Sequence, residues 1–177
     1  RSGTDRISEV IDTLKLSDEN IVVNLQADEP LMPQENIIQV ADNLAQYNEV
    51  SMATLAEPLN DLSQIMDPNA VKVVWNEKGH ALYFSRAAIP WDRQNFPYKL
   101  DNNLPIFLHL GLYAYHAGFI KKYTSLPPSP IETIEKLEQL RALFYGHLIH
   151  VDVAKSHACH GIDTEEDLLK ANELLSS

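Results

Sequence analysis

The chain has 177 residues, 14 basic against 25 acidic, for a formal net charge of −11. Apolar residues make up 45% and charged residues 22%, which excludes a disordered chain and predicts one globular domain over residues 1–177 with a core that needs no staples. The single cysteine, Cys159, excludes an intrachain disulfide, no apolar run reaches the roughly 18 residues of a membrane span, and the acidic balance argues against a general nucleic-acid binder.

The opening Arg1-Ser2-Gly3-Thr4-Asp5-Arg6 has neither an initiator Met nor signal-peptide character and reads as a loop entered from something upstream. Ile7, Val10, Ile11 and Leu14 then recur at helical spacing and predict a helix. Ile21 to Leu25 is a β-branched run that predicts a buried strand, closed by the polar turn from Gln26 to Pro30. Ile37, Val40, Ala41, Leu44 and Ala45 mark an amphipathic helix, and Ser51 to Ala56 a second strand. Val71 to Trp75 and Ala81 to Phe84 flank a short turn and predict a β-hairpin.

Ile89 to Pro105 carries three prolines and reads as a long loop excursion. Leu108 to Tyr115 predicts another strand, with a short helix after it. Ser129-Pro130-Ile131-Glu132 is a capping box with proline at the first helical position, and predicts one helix running to Gly146. Ile149 to Ala154 predicts a strand, and Thr164-Glu165-Glu166-Asp167 opens a terminal helix. Interleaved strands and helices predict an α/β fold with a mixed, mainly parallel sheet.

The six glycines form neither a dinucleotide fingerprint nor a P-loop. Asp28 falls just past the carboxyl end of a predicted strand, where ligands of open α/β sheets bind. A carboxylate there suits Mg²⁺, which takes one or two carboxylates plus substrate phosphates; the same residues also read as an ordinary turn. Asp163 precedes the predicted N-cap Thr164 and is not needed for capping; it reads either as a second metal carboxylate or as part of a solvated acidic loop. Gly3-Thr4 suits close approach of backbone to a flat base, or a helix start capped by Thr4, and Arg6 offers a bidentate fork to a carboxylate or phosphate. His109 and Tyr113, four apart on a predicted strand, share a face and line either a pocket or the core. Glu138 and Arg141 interrupt an apolar stripe and also read as a pair on a solvated face. His157-Ala158-Cys159-His160 lacks the distal second cluster that structural zinc requires.

The segments Ser2 to Arg6, Val23 to Pro30, Pro68 to Val73, Ala81 to Arg86, Ile89 to Arg93, His109 to Tyr113, Leu137 to Arg141 and Gly161 to Thr164, taken in order, resemble the CMP-Kdo synthetase family, the 3-deoxy-manno-octulosonate cytidylyltransferases of lipopolysaccharide precursor synthesis. The resemblance runs along almost the whole chain. It implies a Rossmann-like nucleotidyltransferase fold, a cytoplasmic homodimer, and transfer of CMP from CTP to 3-deoxy-manno-octulosonate (Kdo) with release of pyrophosphate. By the same resemblance Asp28 and Asp163 hold Mg²⁺ and Gly3 and Thr4 border the cytosine. Arg6, Gln26, Arg86, His109, Tyr113 and Glu138 shape the sugar pocket, and the excursion at 89–105 lies near the dimer contact.

Three departures accompany the resemblance. The family's opening strand and basic triphosphate-gripping loop are not in this sequence, which predicts an N-terminally incomplete fold. Ala27 stands where the family usually carries Gly, and His157 to His160 replaces a Pro/Gly-rich loop. A CMP-sialic acid synthetase-like enzyme, a metal-dependent glycosyltransferase and a non-catalytic fragment that keeps the dimer and sugar surfaces are the alternatives.

Overall fold

Six strands and six helices were located in a computed structural model, which describes residues 3–26, 29–59, 61–94, 105–158, Leu169 and Asn172. Helix α1 (Gly3–Leu14) buries the stripe Thr4–Ile7–Ile11. Val10 and Leu14, expected on that face, are exposed instead. Strand β1 (Ile21–Asn24) is followed by α2 (Gln34–Gln46), whose buried face carries Val40 and Leu44 together with two amides, Asn36 and Gln39. Strand β2 (Met52–Pro58) is buried on both faces from Met52 to Glu57, as the short apolar run required. A one-turn helix α3 (Leu62–Met66), capped by Asp61, follows it and was not legible beforehand.

Strands β3 (Lys72–Trp75) and β4 (Ala81–Ser85) form the expected hairpin. The long β5 (Phe107–His116) leads straight into α4 (Ala117–Tyr123). The Ser129 capping box with Pro130 is present, but the predicted single helix is two: α5 (Pro130–Glu135) and α6 (Gln139–Phe144). Lys136 adopts the left-handed conformation (φ 56°) and ends α5. The apolar stripe hides this break because Leu137 and Leu140 are buried on either side of the new helix start. Gly146 (φ 79°) closes α6 as expected, and β6 (Ile149–Val153) follows.

The strands form one sheet in the order β4-β3-β5-β2-β6, with β1 also paired to β5. β1, β2 and β3 run antiparallel to β5, and β6 runs parallel to β2. Four of the six described strands therefore point the same way, but β5 lies between them, so β2–β6 is the one parallel pair among the described residues. The expectation of a mainly parallel sheet holds for strand direction and not for hydrogen-bonded pairing. A crossing strand inserted between like-directed neighbours leaves no trace in the hydrophobic pattern, which records burial and not partner direction.

Helix α2 covers one face of the sheet through Val40, Leu44, Leu55 and Leu112. Helices α1, α4, α5 and α6 cover the other through Ile11, Ile120, Ile131 and Leu140, with Leu137 from the turn between α5 and α6, against Met52, Phe84, Tyr113 and Tyr115. The carboxyl ends of β1, β2 and β6 point to one rim: β2 ends opposite Phe107 at the start of β5, β1 ends opposite Tyr113 in its second half, and Val153 lies beside Ala56. That rim is where an open α/β sheet binds ligands. No helix among the described residues is long and apolar enough to cross a membrane.

Candidate functional site

The site is organised by an irregularity in β5. Leu55 pairs with Leu110, yet Thr54 pairs with Tyr113, so Gly111 and Leu112 bulge out of the ladder. In a regular strand four residues span about 13 Å. The bulge instead brings the His109 and Tyr113 ring centroids to 5.2 Å. Bulges of this kind re-aim side chains beside active sites. Sharing a face was predicted from spacing; the close approach comes from the bulge.

Thr54 spans the bulge from the neighbouring strand. Its hydroxyl donates to the Leu112 carbonyl at 2.8 Å and lies 3.0 Å from His109 Nε2. Burial lowers the His109 pKa to about 3, so the imidazole is neutral. The Phe84 ring meets it edge-on at 5.1 Å. Tyr113 packs against Tyr115 with centroids 5.7 Å apart, and its hydroxyl is buried without a hydrogen-bond partner among the described residues. Burial, with further contributions from Tyr115, Tyr123 and Glu138, raises the Tyr113 pKa well above the ordinary phenol.

Helices close the site from above the sheet. Thr4 Oγ1 donates to Glu138 Oε2 at 2.8 Å, and Tyr123 Oη donates to the Glu138 carbonyl at 2.7 Å. Glu138 does not pair with Arg141, contrary to the alternative of a solvated i,i+3 pair. Arg141 instead donates through Nε and Nη2 to both Glu132 oxygens, and its guanidinium lies 4.9 Å from the Tyr123 ring centre. Both charged side chains of that pair are largely buried. Burial alone would raise the Glu132 pKa, but the Arg141 and Ser129 donors outweigh it and lower it. Glu132 also accepts from the Ser129 backbone N–H, so one carboxylate closes the capping box and anchors the arginine.

The other predicted residues fall as follows. Thr4 is inside α1 and is not its cap, and Gly3 is also helical, so the Gly-Thr turn expected there is absent. Helical backbone satisfies its own polar groups and presents side chains, so Thr4 enters the site through its hydroxyl. Arg6 is exposed on α1 and Gln26 is exposed after β1. Arg86 commits Nε to the Glu135 carbonyl and Nη1 to that of Pro68, each within 2.8 Å, while its backbone N–H donates to the Glu135 carboxylate. It is thereby held in a framework network with Lys72, whose fully buried ammonium donates to the carbonyls of Asp67, Ala70 and Arg86. Asp28 and Asp163 lie outside the described residues, as do Cys159, His160 and positions 95–104 of the excursion.

Sequence reasoning missed Thr54, Tyr115 and Tyr123, whose only signal was polarity at buried positions of otherwise apolar elements, and it read Glu132 as a capping residue without its partner Arg141. It also missed a rim contact: the buried Glu57 carboxylate accepts from His157 Nδ1 at 2.8 Å and from the Ala158 N–H, beside a cleft of about 200 Å³. Among the described residues no group of three histidine, cysteine or acidic side chains is placed to hold a metal.

A family model described as cytidylyltransferase matches residues 1–151. A relative from Idiomarina loihiensis, named 3-deoxy-manno-octulosonate cytidylyltransferase, is 52% identical over 98% of this chain and 70% of its own length. A solved structure described as CMP:2-keto-3-deoxy-manno-octonic acid synthetase complexed with CTP superposes with a TM-score of 0.88 at 32% identity, covering 99% of this chain and 68% of the other. The chain belongs to the cytidylyltransferase family, with the 3-deoxy-manno-octulosonate cytidylyltransferases.

Proposed function

We propose that this chain transfers CMP from CTP to Kdo, giving CMP-Kdo and pyrophosphate. The observation that carries the reading is the cluster of Thr4, His109, Tyr113 and Glu138 at the rim where β1, β2 and β6 end, in a chain 52% identical to a Kdo cytidylyltransferase. The anomeric hydroxyl of the sugar attacks the α-phosphorus of CTP. The new bond joins that oxygen to phosphorus, the bond to the bridging oxygen breaks, pyrophosphate leaves, and the hydroxyl proton passes to solvent. Holding the two reactants in line contributes much of the rate, because it replaces a bimolecular encounter with a fixed geometry.

In this reading His109, Tyr113 and Glu138 bind the sugar. Thr4 orients Glu138, and Gly3 and Thr4 border the cytosine. Arg6, exposed on α1, and Gln26, exposed just past the end of β1, complete the pocket. Arg86 gives two of its five N–H donors to carbonyls, which fixes the guanidinium in the pocket wall. Asp28 and Asp163 supply two hard carboxylate oxygens on segments that leave the same rim after β1 and β6, a donor set suited to Mg²⁺. Bound there, Mg²⁺ would neutralise triphosphate charge. A homodimer, a cytoplasmic location and a role in lipopolysaccharide synthesis belong to the same proposal.

The test is pyrophosphate release by the purified protein with CTP, Mg²⁺ and Kdo. Release is expected to require Kdo, to stop with EDTA and to vanish in Asp28→Ala. Equal release with sialic acid in place of Kdo would overturn the substrate, and undiminished release in EDTA would overturn the metal.

A further inference from the structure

We propose that Thr54 is a positioning residue of the sugar site, holding His109 as the Nε2–H tautomer so that Nδ1 and the Tyr113 hydroxyl together receive a sugar hydroxyl and not the carboxylate. This deepens the function proposed above and rests on its placing the sugar at His109 and Tyr113.

One proton decides the tautomer. The Thr54 hydroxyl has a single hydrogen and three neighbours within reach: the carbonyls of Leu112 (2.8 Å) and Leu110 (3.2 Å), and His109 Nε2 (3.0 Å). Both carbonyls can only accept, whereas an imidazole nitrogen does either. If the hydroxyl donated to the ring, both bulge carbonyls would lose this donor. If it donates to Leu112, the nearer carbonyl, its lone pair accepts from His109 Nε2–H and both side chains are satisfied. Thr54 is itself fully buried, so no water offers an alternative. The ring is neutral, as its lowered pKa also requires. Nδ1 is therefore a bare acceptor.

Beside it the buried Tyr113 hydroxyl lacks a partner among the described residues. A buried polar group of this kind is costly unless a ligand completes it. With the two rings 5.2 Å apart, an acceptor-only nitrogen on one and an unpartnered hydroxyl on the other match a ligand hydroxyl, which donates to the first and accepts from the second. A carboxylate would face the Nδ1 lone pair without a proton between them.

The experiment is ¹⁵N NMR of the protein labelled at its histidine rings, with His109 assigned by its loss in His109→Gln. The expected result is a protonated Nε2 and a bare Nδ1 that do not titrate between pH 8 and 5. Thr54→Val should release the ring to a mixture of tautomers and Thr54→Ser should retain the native one. Kdo alone should move the Nδ1 resonance toward its hydrogen-bonded value. In steady state, Thr54→Val should raise the KM for Kdo about tenfold, the cost of one misplaced buried hydrogen bond, with the KM for CTP changed less than twofold. A ring protonated at Nδ1 in the wild type, or an unchanged ring in Thr54→Val, would overturn the role of Thr54. An Nδ1 resonance indifferent to Kdo would overturn the hydroxyl assignment. If Thr54→Val does not fold, the wild-type tautomer and the Thr54→Ser variant still decide. Wild-type protein that makes no CMP-Kdo would sink the functional reading, while the tautomer measurement would still judge Thr54.

Discussion

Thr4 and Glu138, 134 positions apart in sequence, are joined by a 2.8 Å hydrogen bond that ties the first helix to the turn between α5 and α6. Thr4 is buried, so its hydroxyl has no solvent alternative. Thr4→Val is expected to cost about 1 kcal/mol, the net worth of such a bond, and to raise the KM for Kdo several-fold by freeing the Glu138 carboxylate. Thr4→Ser should restore both. Denaturant melts and steady-state kinetics check the pair; an unchanged KM in Thr4→Val would remove Thr4 from the site.

Arg141 and Glu132 form a largely buried pair with two donors on two oxygens. Breaking it from one side strands a buried charge, so Arg141→Ala should lose about 3–5 kcal/mol. The Glu132 pKa is lowered in the fold from its reference of 4.5. The folded state thus favours the ionised form, and the pair's contribution is present above pH 4.5 and fades as pH falls through the folded value. The acid limb of the stability curve in Glu132→Gln should be correspondingly flatter.

His109 carries the opposite charge type with the same pH direction. Its pKa falls from 6.5 to about 3 through burial. Between those values the unfolded chain binds a proton that the folded chain does not, so stability rises with pH by about 1.4 kcal/mol per unit from this group. His147 and His150 are also lowered by burial and add in the same sense. Chemical denaturation at pH 4 to 6.5 should show His109→Gln reducing the slope by about one proton.

Two amides on α2 clamp the chain beyond β6. Asn36 exchanges hydrogen bonds with the Ser156 backbone, donating at 2.8 Å and accepting at 3.1 Å. Gln39 donates to the Val153 carbonyl at 2.8 Å and accepts from the Lys155 N–H at 2.9 Å. Asn36→Ala should cost about 2 kcal/mol through unpaired buried backbone. Because this segment leads to Asp163, the same variant should raise the Mg²⁺ concentration giving half-maximal activity.

Gly79 supplies a control away from the sugar site. Its φ of +76° disfavours a side chain, and an added Cβ would lie 2.7 Å from His150 Cε1. Gly79→Ala should destabilise by about 2 kcal/mol from backbone strain and overpacking together, with the KM for Kdo unchanged.

Much of this was legible in one dimension. Met52 to Glu57 became a strand buried on two faces, as its apolar run requires, whereas Ile21 to Asn24, expected to be buried, became a half-buried strand with Leu25 exposed beyond it. Ser129-Pro130-Ile131-Glu132 became a helix start because its cap is local chemistry. Where interactions cross the chain, legibility failed. Arg141 was three residues from Glu138 yet pairs with Glu132, because the left-handed Lys136 turns α6 away from the α5 axis. Arg86, expected in the sugar pocket by resemblance, is anchored by two of its N–H donors to carbonyls 18 and 49 positions away.

The sequence by itself determined where most strands and the longer helices lie, their α/β character, the ordered segments that mark the family, and the shared face of His109 and Tyr113. These follow from local propensity, capping and hydrophobic period, which act over a few residues. Only the tertiary structure decided that β5 runs against its neighbours, that two residues bulge from it, and that Thr54 meets His109 there. Such contacts join positions 55 to 134 residues apart. Closing those distances depends on the packing of the whole sheet, and no short window of sequence contains it.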